Sequence, residues 1–183
     1  SIAEAVKRAG ISGKEVDDVI IGAATQQGSQ QGNIARQALL RAGLPTTVSG
    51  MSVDRQCASG MMAIAIAAKQ IIHDGMQVTV GGGVESVSLT RNESFRSDRS
   101  QDPWLISNLP TLYMTMIETA ENVAERYNIS REAQDEYSYQ SQKRTANAQK
   151  LNLLDKEIVP LTSIMKIKDK DSGDITSQQV TLT

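Results

Sequence analysis

Residues 53–72 read VDRQCASGMMAIAIAAKQII. The hydrophobic period changes inside this stretch. An extended segment running to Gln56 gives way to apolar residues at helical spacing, and Cys57, the only cysteine in 183 residues, stands at the change. The spacing predicts a helix over residues 58–73, ended by Gly75. Its MMAIAIAA core is apolar on every face, which predicts a buried helix, and its alanines allow neighbours to approach closely.

Working outward, the same alternation repeats on both sides. Residues 2–9 have the pattern of a helix end, punctuated by Gly10 and Gly13. The run VDDVIIGAA (16–24) suits a buried strand, and 34–40 a helix with Asn33 as N-cap and Gly43 as its stop. VSGMSVDRQ reads as a strand before the Cys57 helix, and QVTVGGG as one after it. Strand, helix, strand, helix, strand implies an α/β fold with a parallel, helix-covered sheet.

From Arg91 the chain becomes polar and loses its period, which divides it into a first unit over 1–90 and a second over 91–183. In the second, TMIETAENVAERY is helical, and Ser130 is the N-cap of a long helix with Glu132 and Asp135 in its early turns. Glu157 to Pro160 reads as a short extended piece. SIMKIK and ITSQQVTLT flank the turn-rich DKDSGD and predict a β-hairpin. The chain opens inside a helix and stops in a strand pattern, so both ends are expected to be cut from a longer protein.

Composition narrows the function classes. Nineteen basic and twenty-one acidic residues give a net charge of -2, and neither sign forms a block that would draw nucleic acid or an anionic membrane. No apolar run reaches the roughly 18 residues that span a bilayer, and SIAEAVKRAG lacks the order of a secretory signal. A single cysteine forms no intrachain disulfide, so a reducing, cytoplasmic setting is expected. One cysteine and one histidine leave no ligand set for structural zinc, and no metal is expected.

Two readings of Cys57 stand against each other. Free cysteines most often pack as small core hydrophobes. At a strand-to-helix turn, however, free backbone N–H groups and the positive end of the helix dipole favour the thiolate form. Ser59 and Gly60 add little bulk, so a carbonyl can approach the sulfur while N–H groups of the turn receive an oxyanion. That context points to a nucleophile. Its base is not evident: the only histidine, His73, is sixteen residues on, roughly 24 Å along a helix, and suits a charge–dipole role at the helix end.

Other candidates carry less chemistry. GGGVES (81–86) lacks the Lys-Ser/Thr of a P-loop, and its glycines are better explained by close backbone approach. Asp17 and Asp18 are expected to be solvated. Glu118, Glu121 and Glu125 describe an exposed helix face. Met114 and Met116, near Tyr113, fit equally a pocket for a flexible apolar chain or plain core packing.

VDRQCASGMMAI followed by GGGVESVSL resembles the thiolase family, and the likeness continues through MIETAENVAERYNISREAQDEYSYQSQKRTANAQKLNLLDKEIVPLT, which is similar to the family's loop domain. The resemblance implies a thiolase-like layered fold: residues 1–90 as part of the first core domain, 91–183 as a truncated, mainly helical loop domain with a β-hairpin. It implies that Cys57 takes the acyl group as a thioester and that its backbone N–H is one oxyanion donor. It implies that Met116 belongs to the substrate pocket near the pantetheine arm. The activity implied is acyl transfer, by thiolysis of 3-ketoacyl-CoA or the reverse Claisen condensation of acetyl-CoA. Acyl-CoA and acetyl-CoA enter as substrates, no cofactor is required, and a homo-oligomer is implied because the family commonly forms dimers and tetramers.

The chain departs from the family at Asp54, where asparagine is frequent, and around Thr115 and Ile117, where histidine, proline or glycine occurs. RQC and VES are nearer to broad-range 3-ketoacyl-CoA thiolases than to the acetoacetyl-CoA type, and ketoacyl synthases are less similar through the loop domain. The family's activating histidine and second cysteine lie in a second core domain, so this chain is expected to be inactive alone. The alternative implied function is a non-catalytic module that binds acyl-CoA or joins subunits.

Overall fold

The computed structural model describes residues 1–182 and divides into two compact units, Ser1–Ser100 and from Gln101 onward. The division falls ten residues after the change in composition because the segment following Arg91 is tied to the first unit. The Gln27 side-chain amide donates to the Arg96 carbonyl at 3.2 Å, and the Arg96 N–H donates back to Gln27 Oε1 at 3.0 Å.

The first unit holds α1 (Ile2–Ala9), β1 (Asp18–Gly22), α2 (Ile34–Arg41), β2 (Ser49–Val53), α3 (Ser59–His73), β3 (Thr79–Gly83) and the short α4 (Val87–Thr90). The strands pair in parallel in the order β2-β1-β3, with Ile20 opposite Met51 on one side and Gly81 on the other. β1 is buried along its whole length, as expected for a central strand covered on both faces. Its side chains alternate. Val19 and Ile21 join Ala35, Leu39 and Val48 in one apolar cluster, whereas Ile20 meets Ala63 and Ala67 of α3 in the other.

Local signals set several boundaries as expected. The Asn33 side chain accepts the Arg36 N–H at 3.1 Å, which caps α2, and Gly43 adopts a left-handed φ of 85° just after its end. The glycines of GGGVES serve close approach. A Cβ on Gly81 would stand 2.9 Å from the Ile64 Cα, so α3 can lie on β3 only because none is there.

Two expectations are corrected. Of the acidic pair, Asp17 is exposed as expected, but Asp18 is not. Asp18 is buried, its carboxylate accepting from the Val19 N–H and the Gln70 side chain, both at 2.8 Å. Asp17 accepts the Gln77 and Val78 N–H groups at 2.7 and 3.1 Å, which hold the chain entering β3 and keep its carboxyl below the usual range. Nor is α3 buried on all sides. Ser59, Ala63 and Ala67 form a buried stripe at four-residue spacing, while Met61, Ile64 and Ile72 are 75%, 58% and 70% exposed. One sheet covers one face of a helix, and among the described residues no second layer covers the other.

The second unit contains α5 (Pro103–Asn108), α6 (Met116–Arg126), α7 (Arg131–Lys150), β4 (Leu161–Lys168) and β5 (Ile175–Leu182). Each helix start is locally encoded. Asp102 accepts the Leu105 N–H, Ser130 accepts the Ala133 N–H, and Thr115 forms a reciprocal capping box with Glu118. β4 and β5 form the expected antiparallel hairpin, with Asp169 folding the DKDSGD turn by accepting from Asp171 and Ser172. Glu157 to Pro160 leads into β4 without joining a strand. The Glu157 and Ile158 N–H groups are spent on the Leu154 carbonyl, and Pro160 has no N–H to contribute.

Candidate active site

Cys57 lies at the apex of a tight turn between β2 and α3, and it is exposed. The turn is held by its neighbours. Gln56 takes a left-handed φ of 49°, with its N–H donated to Asp54 Oδ1 at 2.8 Å. The buried Ser59 hydroxyl accepts the Arg55 N–H at 2.8 Å and donates to the Gln56 carbonyl at 2.6 Å, closing the turn from beneath. α3 begins two residues after Cys57, so the thiol stands at the positive end of a 15-residue helix. Among the described residues no hydrogen bond engages the Cys57 backbone N–H.

The sheet supplies the rest of the site. β1 and β3 end beside the first turn of α3, and Cys57 opens onto a cleft of about 470 Å³ whose walls include Gly22, Thr25, Glu85, Val87 and Arg91. This is the carboxyl end of a parallel sheet, the usual binding edge of such folds. Gly22 makes the approach possible: a Cβ there would lie 2.2 Å from the Ser59 carbonyl carbon and 2.5 Å from the Gly60 nitrogen.

Glu85, one of the lining residues, rests on a buried amide. Gln30 is 2% exposed; its Nε2 donates to the Thr25 carbonyl at 2.8 Å and to Glu85 Oε1 at 2.7 Å, while its Oε1 accepts the Ser86 N–H. Glu85 Oε2 also accepts the Ala24 N–H at 2.8 Å. One glutamine thus joins the loop after β1 to the loop after β3. Sequence reasoning missed it, since Gln30 is one of several glutamines in TQQGSQQG and only its place in space sets it apart.

The bond from Gln30, outweighing the opposing desolvation and aided by the Ala24 N–H, holds the Glu85 carboxyl below its usual value. A carboxyl lowered on folding stabilises the folded state fully above its unfolded pKa, near about 4.3, and that contribution is lost as pH falls through the lower folded value. Glu85→Gln is therefore expected to be less stable than wild type at pH 7, with the two unfolding midpoints converging below about pH 4. Urea titrations across that range read the difference, and a gap that persists at low pH excludes the charged pair as its source.

The other expected residues lie elsewhere. His73 is the last residue of α3, at the end of the helix away from Cys57. Met116 is in the second unit, the first residue of α6, and is 74% exposed. Its neighbour Met114, whose sulfur accepts from Asn122 at 3.2 Å, lines an open cleft of about 710 Å³ with Thr111 and Val123.

Known proteins share the sequence and fold of this chain. The family model described as Thiolase, N-terminal domain, matches residues 1–182. The chain belongs to the thiolase family. It is 42% identical over 162 residues to the beta-ketoadipyl-CoA thiolase of Acinetobacter baylyi, a match over 81% of this chain and 40% of that protein. It is 38% identical over 170 residues to the acetyl-CoA acetyltransferase of Cupriavidus necator, over 87% of this chain and 43% of that protein. The fold agrees with the crystal structure of the Bacillus anthracis acetyl-CoA acetyltransferase at a TM-score of 0.72 and 38% identity, covering 96% of this chain and 45% of that one. This thiolase chain thus spans less than half the length of these relatives, and it has the partial thiolase fold, parallel sheet with helices, that its sequence resembles. Among its described residues no helix is long and apolar enough to cross a membrane.

Proposed function

We propose that the protein carrying this chain is an acyltransferase that works through an acyl thioester on Cys57. In the degradative direction the thiolate attacks the 3-keto carbonyl of a 3-ketoacyl-CoA, and the Cys57 N–H receives the developing oxyanion. The bond between C2 and C3 breaks, and the acetyl-CoA enolate that leaves takes up a proton. The thiol of coenzyme A then attacks the thioester and carries away the shortened acyl group. Run in reverse, acetylated Cys57 is attacked by the enolate of acetyl-CoA. The substrates are coenzyme A thioesters, and the chemistry requires no metal or redox cofactor.

The observation that carries this reading is the exposed thiol, set at a helix start beside an unengaged N–H and facing an open cleft. The names of the relatives support the class of reaction. Met116 is proposed, with Met114, to border the path of the pantetheine arm. Proton transfer needs a free base, and the single histidine ends α3 while the Glu85 carboxylate of the cleft is committed to Gln30 and the Ala24 N–H. The rest of the protein is proposed to supply it. We further propose a cytoplasmic homo-oligomer, whose association would cover the apolar face of α3.

The missing base also motivates the other reading, a module that holds acyl-CoA without turnover. The test is thiolysis of acetoacetyl-CoA followed by loss of absorbance of its magnesium enolate. The full-length protein is expected to turn over and the 183-residue chain alone is not. Turnover by the isolated chain overturns the need for an outside base, and none by the full-length protein favours the binding module.

A further inference from the structure

Along residues 55–59 the backbone N–H groups find acceptors inside the Cys57 turn itself. Arg55 donates to Ser59 Oγ and Gln56 to Asp54 Oδ1, both at 2.8 Å. Ala58 donates to the Arg55 carbonyl at 3.0 Å, and Ser59 to the Gln56 carbonyl at 3.1 Å. Within that span the Cys57 N–H alone has no partner among the described residues.

The Gln56 carbonyl is the other end of the same peptide plane. It accepts from Ser59 twice, from the N–H at 3.1 Å and from the hydroxyl at 2.6 Å. A trans peptide sets its C=O and N–H in opposite directions, and this one is trans. Drawing the carbonyl onto the buried Ser59 therefore turns the Cys57 N–H to the open side of the turn, where Cys57 is exposed. The anchor is firm, because the Ser59 backbone lies against β1 so closely that a Cβ on Gly22 would stand 2.2 Å from its carbonyl carbon. A carbonyl that accepts hydrogen bonds also polarises the N–H across the plane and makes it a stronger donor.

We propose that Ser59 is a positioning residue for acyl transfer. By holding the Gln56 carbonyl, its hydroxyl aims the Cys57 N–H at the oxyanion that forms when the thiolate attacks a carbonyl. The inference rests on the acyl-Cys57 reading and deepens it by naming the group that fixes the oxyanion donor.

Two reactions of Cys57 in the full-length protein separate aim from reactivity. p-Nitrophenyl acetate acylates the thiolate through a tetrahedral oxyanion, from which p-nitrophenolate leaves. Iodoacetamide alkylates it by displacing iodide and forms no oxyanion. Both rates are read from the mass of the Cys57 peptide, and their ratio cancels a change in exposure or in the thiolate population. In wild type the ratio is expected to exceed that of free N-acetylcysteine. In Ser59→Ala it is expected to fall by about tenfold or more, less than deletion of an oxyanion donor costs because the Ser59 N–H still holds the carbonyl. Ser59→Thr keeps the hydroxyl and is expected to recover part of the loss.

A wild-type ratio no higher than that of N-acetylcysteine overturns the proposal, and that comparison holds whether or not Ser59→Ala folds. Equal falls in both rates assign Ser59 to the fold alone and overturn it too. In thiolysis of acetoacetyl-CoA, Ser59→Ala is expected to lower kcat by about tenfold or more with KM held within about threefold, whereas a higher KM at unchanged kcat contradicts the proposed role. Wild type that takes no acetyl group from acetyl-CoA overturns the acyl-Cys57 reading instead, and the ratio still decides what Ser59 does.

Discussion

Cys57→Ser removes covalent acylation. Incubated with acetyl-CoA, the full-length wild-type protein is expected to gain one acetyl group by intact-protein mass, whereas the serine variant gains none and its thiolysis rate falls by about a thousandfold or more. The magnitude follows from the nucleophile. Sulfur is intrinsically the stronger nucleophile, while a serine hydroxyl in the same turn needs a strong base beside it, and Ser59 and Gln56 already commit their groups to closing that turn. Full acetylation of the serine variant at another residue would move the nucleophile elsewhere and remove the basis of the proposed mechanism. Because Cys57 is exposed, the substitution leaves no cavity, and an unchanged unfolding midpoint separates lost chemistry from lost fold.

The second large effect is structural and lies beneath the same turn. Gly22→Ala places a Cβ 2.2 Å from the Ser59 carbonyl carbon and 2.4 Å from its oxygen. These are backbone atoms, so relief requires β1 and α3 to separate, and the expected cost is about 3 kcal/mol or more. Gly43→Ala is the internal comparison. It has φ of +85° but nothing within 4 Å of the added atom, so it carries only the backbone strain of about 1 kcal/mol. Urea unfolding followed by circular dichroism is expected to rank Gly22→Ala well below Gly43→Ala, with faster or slower alkylation of Cys57 reporting the displaced turn. Equal midpoints for the two variants would mean that the contact between β1 and α3 yields cheaply.

Much of this molecule is encoded within a few residues of where it appears. Asn33, Thr115 and Ser130 cap their helices because a side-chain oxygen and a nearby backbone N–H need only local geometry to meet. The DKDSGD turn and its hairpin are legible for the same reason. β1 is legible because an unbroken apolar run suits a strand covered on both faces. Cys57 is legible as a candidate from its place at a change of period, and the thiolase likeness of its surroundings gives that place a chemical meaning.

Asp18, α3 and Gln30 show what escapes such reading. Nothing near Asp18 in sequence announces Gln70, which reaches its carboxyl from the last turn of α3 and makes burial of that polar group tolerable. The apolar character of α3 states that its surface needs covering but not by what, and one sheet covers only the Ala63 and Ala67 stripe.

By itself, then, the sequence determined the order of strands and helices, their caps and turns, the thiolase likeness and the turn that carries the thiol. All of these depend on short-range spacing. Only the tertiary structure decided that Gln30 joins the loops after β1 and β3, and that Glu85, committed to Gln30, lines the cleft onto which Cys57 opens. Those relations hold between residues tens of positions apart, and strand pairing, not chain neighbourhood, brings them together.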